Sequence, residues 1–344
     1  MMRLPLFEFR APQTLAEAAR ILDGEGSQAM PLAGGTDLLP NMKRRQQVPK
    51  TLMSLNRIPE LHQIDLSDAG TRLGACTTLS EIAADPCFRN GLTALAQAAS
   101  CVATPQIRNM ATLGGNLCLD TRCNYYDQNY EWRKSIGFCL KKDGDTCWVA
   151  PGSPKCMAVS STDTAPALMA LGARVRLASR SGEREVPLTE LYQNDGIHYI
   201  KRQPNELLTQ VILDSSHGWK STYWKLRRRG SFDFPVLSVA AAARISANGV
   251  VEDARIVVGS VACLPLLAAE ASKSLRGRPL SQDSIAEAAT LAARIAKPLD
   301  NTDFDMTWRK RVTAEFATYA LRELRGEDMR GERLLLRRHS SSLY

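Results

Sequence analysis

Four cysteines, Cys123, Cys139, Cys147 and Cys156, share one short stretch with the spacing C-x15-C-x7-C-x8-C. Thiolates are soft ligands, so four on one segment can hold a metal ion or an iron–sulfur cluster. A Gly-rich turn, Thr112-Leu113-Gly114-Gly115-Asn116, lies just upstream of them; a second, Ala33-Gly34-Gly35-Thr36-Asp37, lies far upstream. Consecutive glycines lack Cβ atoms, so their backbone N–H groups can approach an anion closely. Thr36 and Thr112 add hydroxyl donors and Asn116 an amide, enough to hold a pyrophosphate without a lysine clamp. Neither turn fits G-x-G-x-x-G or the Walker pattern, which disfavours the common dinucleotide and P-loop folds. One Gly-Gly alone reads as a plain turn. Two with similar flanks, beside four cysteines, suggest a chain that carries an electron-storing centre and a nucleotide-like redox cofactor.

Spacing alone leaves zinc and iron–sulfur open. Structural zinc usually takes cysteines paired two to four residues apart, and none of these four is so paired. The compact ferredoxin run is absent too. Cys118, five residues before Cys123, competes as a ligand. Cys76, Cys87, Cys101 and Cys263 sit in apolar or helical contexts and read as buried small hydrophobes. The N-terminal MMRLPLFEFRAPQ has no apolar core of signal-peptide length, so the expected compartment is the cytoplasm. In that reducing setting nine cysteines argue for metal or catalytic use over disulfides.

The elements that must position these groups read as α/β in the first part of the chain. Thr14 to Glu17 and Thr78 to Glu81 are capping boxes. Gln28–Ala33, Thr51–Leu55 and Thr71–Cys76 read as strands, and Leu92–Ser100 as an apolar helix. From Leu117 to Met157 regular patterning stops, which is uncommon for a loop of this length unless something orders it. Asp163 reads as the N-cap of a helix to Leu171, and Arg174–Ala178 and Leu207–Leu213 as strands. Strands then helices follow: a hairpin through a two-residue Asn248-Gly249 turn, then helices over Leu266–Leu275, Asp283–Ala296 and Thr307–Leu324. The expected domains are 1–214, with 117–157 as an inserted loop, an α+β domain over 215–326, and a charged, frayed tail over 327–344.

The 344 residues are 44% hydrophobic and 23% charged, an ordinary soluble mix with no run long enough for a membrane span. The net charge of +8 is scattered over Lys43-Arg44-Arg45, Arg227-Arg228-Arg229 and Arg337-Arg338 with no nucleic-acid motif. His62, His198, His217 and His339 are scattered, and no residue pattern suggests a substrate acid, base or nucleophile. Electron transfer is therefore the expected task, with no catalytic residue on this chain.

The two glycine turns resemble the FAD-pyrophosphate loops of flavin subunits of the xanthine oxidase family. The resemblance runs from Phe7 to about Gly326. It includes Gln106-Ile107-Arg108-Asn109-Met110-Ala111, Ser161-Thr162-Asp163, Leu207-Leu208 and Tyr223-Trp224-Lys225. It implies an α+β chain: a vanillyl-alcohol-oxidase-like (PCMH-type) FAD-binding domain of two α/β subdomains, then a C-terminal α+β domain typical of CO dehydrogenase flavoproteins. Pro31, Leu32, Ala33, Gly34, Gly35, Thr36, Asp37 and Leu38 would wrap the FAD pyrophosphate and ribose. Val102 and Thr112, Leu113, Gly114, Gly115 and Asn116 would line the other side, with Asp163, Leu207 and Lys225 at the remainder or the flavin edge.

Ordinary members of the family pass directly from the second turn to the segment matching Val159 to Asp163. The cysteine loop resembles an insertion in the family's aromatic-CoA reductases, which holds a [4Fe–4S] cluster. That redox context decides against zinc, with Cys123, Cys139, Cys147 and Cys156 as ligands and Cys118 as a spare. The implied partners are a large molybdenum-cofactor subunit and a small [2Fe–2S] subunit in a dimer of heterotrimers, with ferredoxin as electron donor and no nucleic acid or membrane. Lys141, Lys142 and Lys155 flank the ligands and would either steer an acidic ferredoxin or simply solubilise the loop. Two alternatives remain: the FAD subunit of another molybdenum hydroxylase, and a zinc-stabilised non-enzymatic nucleotide-binding module.

Overall fold

The computed structural model describes residues 3–338, so His339 and the rest of the tail to 344 lie outside the described residues. Three sheets organise the chain. β1 (Glu8–Arg10), β2 (Ala29–Leu32) and β3 (Thr51–Ser54) pair in parallel in the order β1-β3-β2. β4 (Ile64–Ser67), β5 (Gly70–Gly74), β6 (Arg174–Ser179), β7 (Gly182–Pro187) and β8 (Leu207–Asp214) form an antiparallel sheet in the order β4-β5-β8-β6-β7. β9 (Trp219–Leu226), β10 (Leu237–Ile245), β11 (Val251–Gly259) and β12 (Leu266–Leu267) form the third, antiparallel in the order β12-β11-β10-β9.

The third sheet joins two cores because strand side chains alternate faces. Tyr223, Ala240 and Ala242 enter the core shared with the first two sheets, while Trp224, Val239, Ala241 and Ala243 enter the C-terminal one. The small residues of β10 let helices close over both faces: Thr93–Cys101 and Thr164–Ala170 on one, Met306–Arg325 on the other. A third, small core belongs to the inserted loop: Cys123, Tyr126, Cys139, Cys156 and Ala158. One short helix, Tyr130–Ser135, interrupts that loop.

Local expectations fail where distant partners intervene. The Thr78–Glu81 box is complete, but Glu17 turns its carboxylate to the N–H of Gln13, leaving Thr14 only half of one. The expected helix over Leu266–Leu275 begins at Ala269, because Leu266 and Leu267 pair with β11. The hairpin turn is longer than two residues. The Ser246 N–H reaches the Val250 carbonyl across three, with Gly249 at φ 78° and a bulge at Arg244/Ile245. The tail forms a helix, Arg330–Arg338, whose Arg333 guanidinium bonds Glu323, Thr222 and the Tyr223 carbonyl. Those bonds fasten it to β9, where composition alone suggests fraying. Among the described residues no helix is long and apolar enough to cross a membrane.

Candidate functional site

A cavity of about 590 Å³ opens between the first two sheets, within the size range of cofactor sites. All of Pro31 to Leu38 lines one wall; Val102, Thr112, Gly114, Gly115 and Asn116 line another, and Asp163 and Leu207 join them. Leu113 and Lys225 stand outside this lining. Leu113 is fully buried in the core, and Lys225 sits behind Asp163.

The glycines explain how the walls meet. A Cβ on Gly34 would lie 1.8 Å from the Met110 carbonyl oxygen, so the two turns abut backbone to backbone. Gly35 has φ 69°, a left-handed conformation that favours glycine. Gly114 packs against Ala75, where an added Cβ would meet Ala75 Cβ at 2.7 Å. Thr112 uses its hydroxyl to accept from the Gly115 N–H at 3.1 Å. Asn116 engages its side-chain carbonyl within the protein: it accepts from Thr162 Oγ1, Thr164 N and Thr164 Oγ1 at 2.7–3.0 Å. That bond set ties the second turn to the segment after the inserted loop.

Asp163 does not cap its helix. Its backbone is already helical, φ −81° and ψ −39°, outside the extended geometry an N-cap needs. Its carboxylate instead takes the Tyr223 hydroxyl at 2.7 Å and Lys225 Nζ at 3.0 Å, and Lys225 also donates to the Cys101 carbonyl. Burial, then the Asp163 charge, pushes the Tyr223 hydroxyl well above its ordinary range, so it stays a donor. Both ionic side chains are almost wholly buried, at 2% and 3% exposed. Lys225→Met is expected to lower unfolding free energy by about 3–5 kcal/mol, because it strands a buried carboxylate. Lys225→Met/Asp163→Asn is expected to lose less. Urea unfolding of the two variants compares them.

No local pattern marks several other lining residues: Asp120, Arg122, Asp127, Tyr199, Arg202, Phe232 and Phe234. Arg122 pairs with Asp37 of the first glycine turn and with Asp127 at 3.0 Å, and its guanidinium lies 4.5 Å from the Phe234 ring centroid.

A second, narrow cavity lies beside the first. Cys123, Cys139, Cys147 and Cys156 all line it, with Tyr125, Tyr126, Lys141 and Trp148. All four thiols are buried and none is in a disulfide. Among the described residues no three His, Cys, Asp or Glu side chains are placed to hold a single metal ion; the thiols ring a cavity instead. Burial pushes the Cys123 thiol up to about 12 and Cys156 to about 11, so these groups become anions only when a cation compensates. The Ala158 N–H already donates to Cys156 Sγ at 3.4 Å. Gly196 brings bare backbone against the same sulfur, where a Cβ would come to 2.7 Å. This donor set, four buried soft ligands with an N–H donor around one cavity, fits an iron–sulfur cluster.

Other cysteines and lysines take places the sequence did not suggest. Cys118 lines the large cavity, not the small one. Cys87 is exposed and Cys101 half-buried, whereas Cys76 and Cys263 are buried as expected. Lys141 does not face solvent: its Nζ is held by Asp120 Oδ1 at 2.8 Å, Thr121 Oγ1 at 2.7 Å and the Gly196 carbonyl at 2.6 Å. Burial takes it out of reach of an external partner. Lys142 pairs with Asp143 at 3.2 Å, and Lys155 is exposed.

The two cavities share a wall. Asp120 lines the large one and accepts from Lys141 and from the Tyr126 hydroxyl at 3.0 Å, and both of these donors line the small one. Arg122 lines the large cavity and Cys123, the next residue, the small one. The arrangement places a long cofactor groove and a four-thiol pocket back to back.

Comparison with known proteins identifies the family of both parts of the chain. Residues 5–214 match the family described as "FAD binding domain in molybdopterin dehydrogenase", and residues 221–324 match "CO dehydrogenase flavoprotein C-terminal domain". The aldehyde oxidoreductase FAD-binding subunit PaoB of Escherichia coli is 33% identical over 324 residues, covering 90% of this chain and 96% of that protein. The carbon monoxide dehydrogenase medium chain of Hydrogenophaga pseudoflava is 28% identical, covering 92% and 96%. Among solved structures, reconstituted CO dehydrogenase from Oligotropha carboxidovorans superposes with a TM-score of 0.77 at 26% identity, covering 95% of this chain and 100% of that one.

Proposed function

The chain belongs to the FAD-binding medium subunits of the xanthine oxidase family, and we propose that it is the electron-transfer subunit of a 4-hydroxybenzoyl-CoA reductase. Membership makes it an FAD-binding oxidoreductase subunit of a molybdenum hydroxylase type of enzyme. The observation that carries the finer reading is the four-thiol pocket sharing a wall with the FAD cavity.

In this reading Pro31 to Leu38 and Thr112 to Asn116 flank the FAD pyrophosphate; the first turn supplies the backbone donors, because Leu113, Gly114, Gly115 and Asn116 already donate their N–H groups to Thr77, Ala75 and Thr112, and Val102 and Leu207 supply apolar walls. Asp163 faces the same cavity, fixed from behind by Lys225. Cys123, Cys139, Cys147 and Cys156 bind a [4Fe–4S] cluster as thiolates. When bound, the two groups supply one- and two-electron chemistry, linking ferredoxin to [2Fe–2S] clusters and a molybdenum cofactor on partner subunits, where 4-hydroxybenzoyl-CoA loses its hydroxyl to give benzoyl-CoA. Residues 1–214 form the FAD-binding domain with 117–157 as the cluster insertion, 215–326 the C-terminal domain and 327–344 the tail. The assembly is a cytoplasmic dimer of heterotrimers.

A second reading rests on the 33% identity to the aldehyde oxidoreductase subunit: the FAD subunit of another molybdenum hydroxylase. Anaerobic purification with metal analysis, visible spectra and EPR separates the readings. About four irons and one flavin per chain are expected, with turnover of 4-hydroxybenzoyl-CoA by the assembled complex on reduced ferredoxin. One zinc in place of iron overturns the cluster. Iron and flavin with aldehyde turnover alone favour the second reading.

A further inference from the structure

Lys141 is a buried cation on the wall between the two cavities, and its environment is directional. Its ammonium lines the thiol pocket, 4.8 Å from the Tyr126 ring centroid and 5.7 Å from that of Tyr199. Its partner Asp120 lines the FAD cavity. The ion pair is therefore a fixed dipole across the shared wall, positive toward the thiols and negative toward the FAD cavity. Both side chains are shielded, at 6% and 10% exposed, so solvent screens the pair little. A surface lysine on a loop would have none of this leverage.

We propose that Lys141 is a positioning residue for electron transfer: with Asp120 it raises the reduction potential of the cluster held by the four cysteines and lowers that of the FAD beside it. This rests on the proposed [4Fe–4S] site. A cluster on four thiolates is anionic and gains another negative charge on reduction, so a nearby buried cation favours the reduced form. A carboxylate facing the flavin disfavours charge there by the same reasoning. Arg122 and Asp127, on the same wall, pair with each other and with Asp37, and Arg202, which also lines the FAD cavity, donates to the Gln203 and Glu206 carbonyls. Thr121 and the Gly196 carbonyl, which complete the Lys141 shell, are uncharged.

The test is a redox titration of the assembled complex, following the cluster by EPR and the flavin by its visible bands. Lys141→Met/Asp120→Asn removes the dipole without changing net charge. The cluster's reduction equilibrium is expected to fall about tenfold, or about 59 mV for one electron, while the flavin potential moves upward. Lys141→Arg is expected to keep the wild-type values. Should the double variant lose its cluster, Lys141→Gln tests the same downward cluster shift. Shifts of the same sign in both centres, or none, overturn the inference. A wild-type complex without iron overturns the cluster reading on which it stands, a separate result.

Discussion

Gly34→Ala is expected to yield a folded chain that retains less than a tenth of the wild-type flavin. The added methyl carbon would lie 1.8 Å from the Met110 carbonyl oxygen and 2.6 Å from its carbon. Both obstacles are backbone, so no rotamer change relieves the clash. Met110 has little room to move, because its neighbour Ala111 accepts from the Leu79 N–H at 2.9 Å and is itself bonded to Ile107 at 2.7 Å. The loop Pro31–Leu38 must therefore withdraw from the second glycine turn, and the groove between them widens. A tenfold loss of affinity needs only about 1.4 kcal/mol, less than such a displacement costs in lost contacts. Gly24→Ala is the matched control: nothing lies within 4 Å of its Cβ position, and it is remote from the cavity. Flavin absorbance per chain after gel filtration decides the matter. Full flavin in Gly34→Ala would show that the two turns do not clasp the cofactor.

Why that glycine was visible in the sequence, and other site residues were not, follows from how far each requirement reaches. A backbone that must pass close to another backbone, as at Gly34 and Gly114, or turn left-handed, as at Gly35, imposes glycine locally, so these positions can be found without knowing what they touch. Four cysteines in a loop likewise announce a shared pocket, and all four line one. Tyr199 and Phe232 carry no such mark. Tyr199 reaches the cavity because its hydroxyl bonds the Cys118 carbonyl, and Phe232 because its N–H bonds that of Ala103. Both partners are distant in sequence, and both residues sit on irregular segments with no period to read.

Charged residues were the most misleading. Asp163 is well spaced for an N-cap, yet a lysine and a tyrosine from β9 outcompete the helix for its carboxylate. Lys141 lies among polar loop residues and so resembles an exposed side chain. Asp120, Thr121 and Gly196 enclose it only after the loop has folded back on the second sheet's connection. Long-range pairing of charges is the part of this fold that composition and periodicity cannot carry.

Cys139→Ser is expected to reduce iron from about four atoms per chain to background while leaving FAD near wild-type occupancy. A serine hydroxyl is a harder, weaker ligand for iron than a thiolate, and the pocket lining holds no fifth cysteine: Cys118 lines the other cavity, and Cys263 donates its thiol to the Cys156 carbonyl at 3.5 Å from behind. Retention of FAD follows from what holds the shared wall. Arg122 bonds Val159 through both its N–H and its carbonyl, at 2.8 and 2.7 Å, and reaches Asp37 through its side chain. None of these bonds involves Cys139. Nor do Cys123 and Cys156 become buried anions: pushed up to about 12 and about 11, both stay neutral at physiological pH and pack as small hydrophobes. Their protonation removes the electrostatic reason for the loop to open, and its small core around Tyr126 can persist. Iron and flavin assays on the same preparation test this, with Cys118→Ser expected to keep both. Loss of flavin together with iron would mean that the cluster itself orders Asp120 to Arg122, making the inserted loop part of the FAD site rather than an addition to it.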